Sequence, residues 1–302
     1  FQDRGGIVSP RHRLEALLLG LALWFFGRLS LDRASALGGW IGRRLGPRLG
    51  LSDRARGNLR QAFPELDEGR IEAIVGGMWD NLGRVAAEFP HLAKFRCYQA
   101  DPDGVRRIEV VGAENIDLAG QSESGAIFFS AHLGNWELTP LSAVQRPLAL
   151  VTVYRQANNP HADALIQAVR QRVGGDHLPK GAAGARGLVA ALRHGRSVAL
   201  VVDQKQNDGI AVDFFGRPAM TAPAAAELAL RYGCLLIPAR VERLGGARFR
   251  ITIEPPLELA QSGQREDDVA ETMARVNARL EAWIRQRPEQ WFWLHRRWPD
   301  CT

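Results

Sequence analysis

A histidine and a carboxylate stand five residues apart in the stretch 127–140, which reads IFFSAHLGNWELTP. His132 follows an apolar run, and Glu137 is the nearest carboxylate after it. A histidine titrates near neutrality and can remove a proton from a hydroxyl when an acceptor holds its other ring nitrogen. The pattern therefore predicts a general base with an acidic partner. The same His-x4-Glu spacing also occurs by chance around hydrogen-bonded structural histidines.

Polar residues follow three successive apolar runs. His132 follows the run 126–130, Tyr154-Arg155 follow 148–153, and Asp203-Gln204-Lys205 follow 197–202. If these runs are parallel strands, their carboxyl ends lie at one edge of a sheet, where functional groups collect. Asp203 is then a second candidate partner for His132.

The cations of this group have two interpretations each. Arg155 could bind a phosphate or a developing oxyanion, or it could form a surface salt bridge. Lys205 could bind an anion, or it could pair with Asp203 alone. Between His132 and Glu137, Gly134 permits a tight turn and Asn135 could cap a following helix.

The elements that must position these residues alternate between strand and helix patterns. This alternation predicts an α/β fold with a mostly parallel mixed sheet flanked by helices. The strand candidates are 108–111, 126–130, 148–153, 197–202, 235–241 and 249–253. The helix candidates are 52–63, 67–95, 135–145, 160–173, 184–194, 221–232 and 267–286. We assign residues 51–302 to one domain, residues 10–50 to an N-terminal anchor, and residues 1–9 to a disordered start.

The N-terminal segment is both basic and apolar. Residues 1–60 contain eleven arginines and four acidic residues, within a chain of net charge +6. The uncharged run 16–27 would extend about 18 Å as a helix, which is short of a comfortable span. We therefore predict a short tilted span or an in-plane anchor, followed by an amphipathic helix at about 34–49. A core helix of a soluble protein is the alternative. A nucleic-acid-binding arm would not carry so dense an apolar run.

The sequence gives no sign of a metal or cofactor site. The cysteines at 97, 234 and 301 lack metal-ligand spacing, and His161, His177 and His194 are scattered. The odd cysteine count favours a reducing, cytoplasmic-facing location over a disulfide framework. The glycine-containing stretch 181–187 lacks the Lys-Ser/Thr of a phosphate loop, so it is expected to be a loop with a helix start.

Six blocks in order resemble the lipid A late acyltransferases, the lauroyl/myristoyl family within the His-x4-Asp/Glu acyltransferases. The resemblance covers about 10–300. The blocks, by sequence number, are Asn58-Leu59 with Phe63-Pro64, the block 132–137, the block 153–160, Asp203-Gln204, Phe214-Phe215-Gly216 with Thr221 and Pro223, and the block 288–297.

The resemblance implies a glycerol-3-phosphate acyltransferase-like fold with an N-terminal anchoring helix, on the cytoplasmic face of the bacterial inner membrane. It implies transfer of a fatty acyl chain from acyl carrier protein to a hydroxyl of a Kdo-lipid IVA-like lipid A precursor. His132 would be the base, Glu137 its partner, and Asp203 a relay or structural member. Oxyanion or phosphate contacts would come from Arg155, Lys205, Arg296 and Arg297, with support from Asn135 and Gln204. No cofactor, metal or nucleic acid is implied.

Two other functions remain open from the sequence. Lys205 stands where many members carry a small or acidic residue, so the acceptor could be another glycolipid, a phospholipid or an aminolipid. A non-enzymatic module that binds membranes or anionic polymers is a third hypothesis. It would leave unexplained why His132, Arg155 and Asp203 follow successive strands.

Overall fold

A computed structural model describes residues 10–298, and the disordered start expected for residues 1–9 lies outside them. Strands were expected at six places, and all six are present with ends within a few residues of expectation. Three further strands, at 176–179, 205–213 and 218–221, were not anticipated. The strand bounds are β1 (Ile108–Val111), β2 (Ala126–Ser130), β3 (Leu150–Tyr154), β4 (Asp176–Pro179), β5 (Ser197–Val201), β6 (Lys205–Asp213), β7 (Pro218–Thr221), β8 (Leu235–Gly245) and β9 (Arg248–Ile253).

Within the described residues, seven of these strands form one sheet in the order β1-β9-β8-β2-β5-β3-β4. Every neighbouring pair is parallel except β8 and β9, which form an antiparallel hairpin. The predicted mostly parallel mixed sheet is therefore confirmed. Strand β2 is central and buried along its whole length, as its continuous apolar sequence requires.

Helices cover both faces of the sheet and form the N-terminal layer. Their bounds are α1 (Pro10–Arg28), α2 (Leu31–Leu45), α3 (Leu51–Ala62), α4 (Glu68–Glu88), α5 (Glu114–Gln121), α6 (Leu141–Val144), α7 (Pro160–Arg170), α8 (Ala182–Arg193), α9 (Ala224–Tyr232) and α10 (Arg265–Gln286).

Two predicted helices are interrupted or end early, in both cases near a proline. The single helix expected at 135–145 is a 3₁₀ turn, Trp136–Leu138, followed by the short helix α6. Pro140 lies between them and has no N–H to continue a helical ladder. The helix expected at 67–95 ends at Glu88, and a 3₁₀ segment with Pro90 near its start covers Phe89–Lys94.

Helix α4 packs its apolar stripe against the core and supports the N-terminal layer. Ile71, Val75, Met78 and Val85 are buried at helical spacing. Helices α2 and α4 pack closely at glycines, since a Cβ on Gly38 would lie 2.3 Å from the carbonyl oxygen of Gly83. Such contact fixes α2, the amphipathic helix expected near 34–49, directly on the folded domain.

Helix α1 leaves its apolar side chains at the surface. None of its residues is buried, and Leu14, Leu17, Leu18, Leu21, Trp24 and Phe25 are all exposed. Of the helices in residues 10–298, none combines the length and the apolar character needed to cross a membrane. Helix α1 lies against α7, where Asn159 donates to the carbonyl oxygen of His12 at 2.8 Å and to Glu15 at 3.1 Å.

Candidate active site

The carboxyl ends of β2 and β5 bring His132 and Asp203 together. The two strands are adjacent and parallel, so the residues that follow them meet at one edge, as predicted. Nδ1 of His132 lies 2.8 Å from Oδ1 of Asp203, and the backbone N–H of His132 donates to Oδ2 at 2.8 Å. Trp291 Nε1 donates to the same Oδ2 at 2.7 Å. Asp203 is fully buried, and three donors hold its carboxylate in place.

The His132–Asp203 contact determines which ring nitrogen can react. With Nδ1–H donated to the carboxylate, the lone pair of the neutral ring is at Nε2. Burial opposes the charged ring, but the Asp203 carboxylate outweighs burial and raises the pKa of His132 above its usual value, with Glu137 adding to the effect. Burial would raise the pKa of Asp203, yet its contacts with His132 hold that pKa well below its usual range. The pair is suited to accept a proton at Nε2 and stabilise it.

Glu137 does not hydrogen-bond to His132, so its predicted role as the direct partner of the base is wrong. Arg170, in the last turn of α7, donates to both carboxylate oxygens of Glu137, at 2.5 and 3.0 Å. Burial would lower the pKa of Arg170, but Glu137 raises it. The residues after His132 turn Glu137 away from Nδ1 toward α7. The charge of Glu137 still adds to the raised pKa of His132.

Close packing and hydrogen bonds from other segments fix the turn that follows His132. Gly134 has a φ of 58°, and a Cβ there would lie 2.4 Å from the carbonyl oxygen of Val241, so the turn requires glycine. Its N–H donates to the carbonyl oxygen of Gln290 at 3.1 Å, and its own carbonyl accepts from Asn81 at 2.9 Å. The C-terminal segment, residues 287–298, therefore runs beside this turn, and Leu133 and Trp291 form an isolated antiparallel bridge between the two.

Asn135 does not cap the next helix, contrary to expectation. Its side chain makes no capping hydrogen bond and instead donates to Glu88 at 2.8 Å. Glu88 is fully buried and also accepts from Ser35 at 2.6 Å and from Arg243 at 2.5 and 3.1 Å. Arg243 in turn donates to Asn81 at 2.8 Å. This buried network, Ser35, Asn81, Glu88, Asn135 and Arg243, is the hub behind the catalytic turn.

Arg297 is structural, so its predicted contact with an oxyanion or phosphate is wrong. It is fully buried and donates to the carbonyl oxygen of Met220 at 2.9 Å and to Thr221 at 2.8 Å. Burial lowers the pKa of Arg297 to about 10. Its guanidinium joins β7 to the C-terminal segment and stacks over Phe214.

The other predicted cations lie nearer the surface. Arg155 is exposed after β3, Lys205 is half-buried after β5, and Arg296 is exposed next to His295. Within residues 10–298, the side chains of Arg155 and Lys205 have no hydrogen bond or ion pair, so the alternative of a Lys205–Asp203 pair is wrong. Arg155 and Lys205 remain candidates for an anionic ligand.

Aromatic rings surround the reactive side of His132. The ring centroid of His132 lies 5.2 Å from that of Trp136, 6.2 Å from that of Phe292 and 5.2 Å from that of His295. Its side chain keeps 18% of its surface accessible. The amide of Gln204 lies 3.3 Å from Nε2. His132 therefore lies among aromatic rings, with part of its side chain accessible and with Gln204 beside Nε2.

Several functional residues could not be placed from spacing alone. Arg170 and Trp291 reach the site only through the packing of α7 and the C-terminal segment. A signal for the hub did exist, because Asn81 and Glu88 fall on the apolar stripe of α4, where a polar residue must find a buried partner. Residues 10–298 contain no cluster of histidine, cysteine and acidic side chains that could hold a metal ion.

Comparisons with known proteins identify the family of this chain. A family model described as bacterial lipid A biosynthesis acyltransferase matches residues 10–300. The lipid A biosynthesis myristoyltransferase of Escherichia coli K12 is 27% identical over 260 residues, which cover 84% of this chain and 77% of that protein. The palmitoleoyltransferase of the same strain is 27% identical over 299 residues, covering 96% and 92%. The lauroyltransferase is also 27% identical over 299 residues, covering 96% and 93%.

One solved structure is also similar, the 1-acyl-sn-glycerophosphate (LPA) acyltransferase of Thermotoga maritima. It covers 90% of this chain and 98% of its own, with 14% identity and a TM-score of 0.35.

Proposed function

The chain belongs to the bacterial lipid A biosynthesis acyltransferase family, and on that premise we propose that it moves a fatty acyl chain from acyl carrier protein to a hydroxyl of a Kdo-lipid IVA-like precursor, forming a secondary acyloxyacyl ester. One observation carries the mechanism. Buried Asp203 holds Nδ1 of His132, which leaves the lone pair of the neutral ring at Nε2, and the side chain is partly accessible. Because the chain belongs to a family of acyltransferases, the hypothesis of a non-enzymatic binding module is wrong.

The reaction follows from the orientation of the base. Nε2 of His132 takes the proton of the acceptor hydroxyl as its oxygen attacks the thioester carbonyl carbon. Electrons of the carbonyl move onto its oxygen, and the C–O bond forms. The carbonyl then re-forms, the C–S bond breaks, and the carrier thiol leaves with the proton from the imidazolium. Asp203 stabilises the imidazolium throughout, as the acidic member of a triad does.

The cations support an anionic substrate. Arg155 and Lys205 lie beyond the ends of β3 and β5, at the same edge as His132. We propose that they bind phosphate groups of the acceptor, with exposed Arg296 as a looser candidate. A phospholipid or another glycolipid acceptor would suit the same charges, so a panel of lipid acceptors distinguishes the two substrate classes.

The exposed side of α1 supports attachment to the cytoplasmic face of an anionic inner membrane. Its apolar residues stand together, and Arg28 lies over the ring of Trp24 at 5.5 Å. A helix of this kind lies in the interfacial plane with its apolar side chains inserted. Because α1 is seated on α7, which carries Arg170, the attached surface would adjoin the site. Flotation with anionic and neutral vesicles tests this proposal, and equal recovery from both would contradict the electrostatic part.

The decisive test is a transfer assay with the purified full chain. Labelled acyl carrier protein and a phosphorylated lipid A precursor are the substrates, and mass spectrometry locates the new ester. We expect wild-type transfer and a loss of about 10³- to 10⁴-fold in His132→Ala, with the melting temperature nearly unchanged. Transfer retained in His132→Ala would overturn the mechanism. Transfer to a phospholipid but not to the precursor would overturn the acceptor.

A further inference from the structure

One side-chain amide bridges two histidines in the site, and the reaction described above uses only one of them. Nε2 of Gln204 lies 3.3 Å from Nε2 of His132 and 3.1 Å from Nε2 of His295. The two imidazole rings are 5.2 Å apart and inclined at 64°. His295 belongs to the C-terminal segment, more than ninety residues from Gln204 along the chain. Only the tertiary structure brings the three side chains together.

The hydrogen bonds around this amide are mutually consistent in one arrangement. The Nε2 atom of neutral His132 accepts, because Nδ1–H is donated to Asp203. A carboxamide nitrogen has two hydrogens, so it can serve two acceptors. The second acceptor must be Nε2 of a neutral His295. Burial lowers the pKa of His295 to about 4, so this ring is neutral at pH 7.

His295 is held firmly in its position. Asn58 of α3 donates to the carbonyl oxygens of Trp293 and His295, both at 2.7 Å. The ring of His295 packs edge-on against Phe292, with centroids 4.5 Å apart. Asn58 is one of the residues that carried the family resemblance, and these contacts give it a structural task. It fixes the backbone of the segment that brings His295 to the amide.

We propose that Gln204 binds the acceptor hydroxyl beside His132, and that His295 is the positioning residue that aims the Gln204 amide. This inference rests on the proposed function. The 3.3 Å contact between Gln204 and His132 is long for a hydrogen bond, so an incoming hydroxyl displaces it readily. The hydroxyl oxygen fits at about 2.8–3.0 Å from both nitrogens. It donates its proton to His132 and accepts the freed N–H of Gln204.

This placement leaves one lone pair of the hydroxyl oxygen free to attack. The C–O bond forms at the thioester carbon as the hydroxyl proton passes to His132, and the thiol later leaves with that proton. Gln204 exchanges no proton and needs no co-reactant. The other N–H of the amide stays donated to His295, so the amide cannot rotate. A rotated amide would turn its own oxygen toward the hydroxyl oxygen, and the two oxygens would repel each other.

Two substitutions separate the hydrogen bond of His295 from its packing. His295→Phe keeps a ring against Phe292 but removes the acceptor. His295→Gln loses the ring but keeps an acceptor at similar reach. We expect His295→Phe to lower kcat for transfer by about 10- to 100-fold, the range for one misaligned hydrogen bond. We expect His295→Gln to recover at least half of the loss on a logarithmic scale, and Gln204→Leu to match His295→Phe.

The control is His194→Phe, at the exposed end of α8, before β5 begins. It should keep wild-type transfer. The acceptor KM should change less than about threefold in His295→Phe, because the rest of the lipid supplies most of the binding. The acid limb of the pH profile should stay in place, since Asp203, not His295, is the group that raises the pKa of His132.

Full transfer in His295→Phe would overturn the inference. So would equal losses in His295→Phe and His295→Gln at unchanged melting temperature, because packing would then explain both. These outcomes presuppose that the wild-type protein transfers acyl chains and that His132→Ala does not. Failure of the proposed function would instead appear as no transfer by wild type or as transfer by His132→Ala.

Discussion

Two buried ion pairs flank the same turn, and they differ in what they leave unsatisfied. In front, Asp203 holds Nδ1 of His132, while Nε2 has only a long 3.3 Å contact with Gln204 among the described residues. Behind, Glu88 and Arg243 are both buried and are joined by Ser35, Asn81 and Asn135. Under the proposed function the front pair exchanges a proton with the substrate, whereas the rear hub holds the backbone of the turn. A third pair, Glu137–Arg170, is half-buried and lies between these two extremes.

The largest effect should come from the front pair. Asp203→Asn removes the charge that stabilises the imidazolium and the acceptor that selects its tautomer, so kcat/KM should fall about 10³- to 10⁴-fold at neutral pH. Melting temperature should change little by comparison. A variant with near wild-type transfer would show that Asp203 does not support the base.

The pH dependence sharpens the same test. His132 must be neutral to act as a base, so activity falls as pH drops through its pKa. Asp203 raises that pKa, as Glu137 does to a smaller extent. The acid limb of wild type should therefore lie above the usual histidine pKa, and in Asp203→Asn it should move to lower pH. Profiles of kcat/KM between pH 5 and 9 measure the shift of the acid limb. Long incubations make the residual activity of the variant detectable. Movement of the limb to higher pH would contradict the assignment.

The rear hub should show the opposite pattern. Glu88→Ala leaves the Arg243 guanidinium buried without a counter-ion, which should cost about 3–5 kcal/mol of the free energy of unfolding. Denaturant titration measures the loss. The fraction that remains folded at low temperature should keep most of its transfer activity per molecule. A stable but inactive Glu88→Ala protein would contradict this prediction, because the hub would then support transfer and not stability.

The intermediate pair should give an intermediate effect. Glu137→Gln removes a charge that acts on His132 and leaves Arg170 partly unpaired, so transfer should fall about 10- to 100-fold. Transfer by the matched variant Arg170→Gln should fall similarly. The double variant should lose less activity than the product of the two single fold losses, because the two residues act as a unit. Additive losses would indicate that Glu137 and Arg170 act independently.

The smallest effect should come from Trp291. Trp291→Phe keeps the ring but removes the N–H that donates to Asp203, one of three donors to that carboxylate. Transfer should fall about threefold to tenfold, consistent with one hydrogen bond to a charged group. Trp293→Phe, whose Nε1 donates to the carbonyl oxygen of Pro288, is the control and should keep its activity. Equal losses in both would assign the effect to aromatic packing.

Much of the fold could be predicted because its signals are local. Apolar runs such as 126–130 and 235–241 mark buried strands, and their alternation with helices predicts a parallel sheet. The errors arose where one residue overrides a pattern, as Pro140 does in the helix expected at 135–145. The short strand β4 was missed because Asp176–Pro179 has little apolar character and pairs only at the sheet edge.

The site could be predicted only to the level of the elements that bear it. Sequence order placed His132, Arg155 and Asp203 after successive strands, and parallel pairing then required their proximity. It could not decide between Glu137 and Asp203 as the partner of His132. That choice depends on how the turn at Gly134 directs the chain and on where α7 places Arg170.

The sequence by itself determined the sheet and the family and singled out His132, because each rests on residues adjacent in the chain or on blocks in a fixed order. The tertiary structure decided which carboxylate contacts His132, which arginine is structural, and which side chains contact Gln204. The physical reason for this division is geometric. Hydrogen bonds need donor and acceptor within about 3 Å and in line. Only the packing of α3, α7 and the C-terminal segment against the sheet edge brings such distant residues that close.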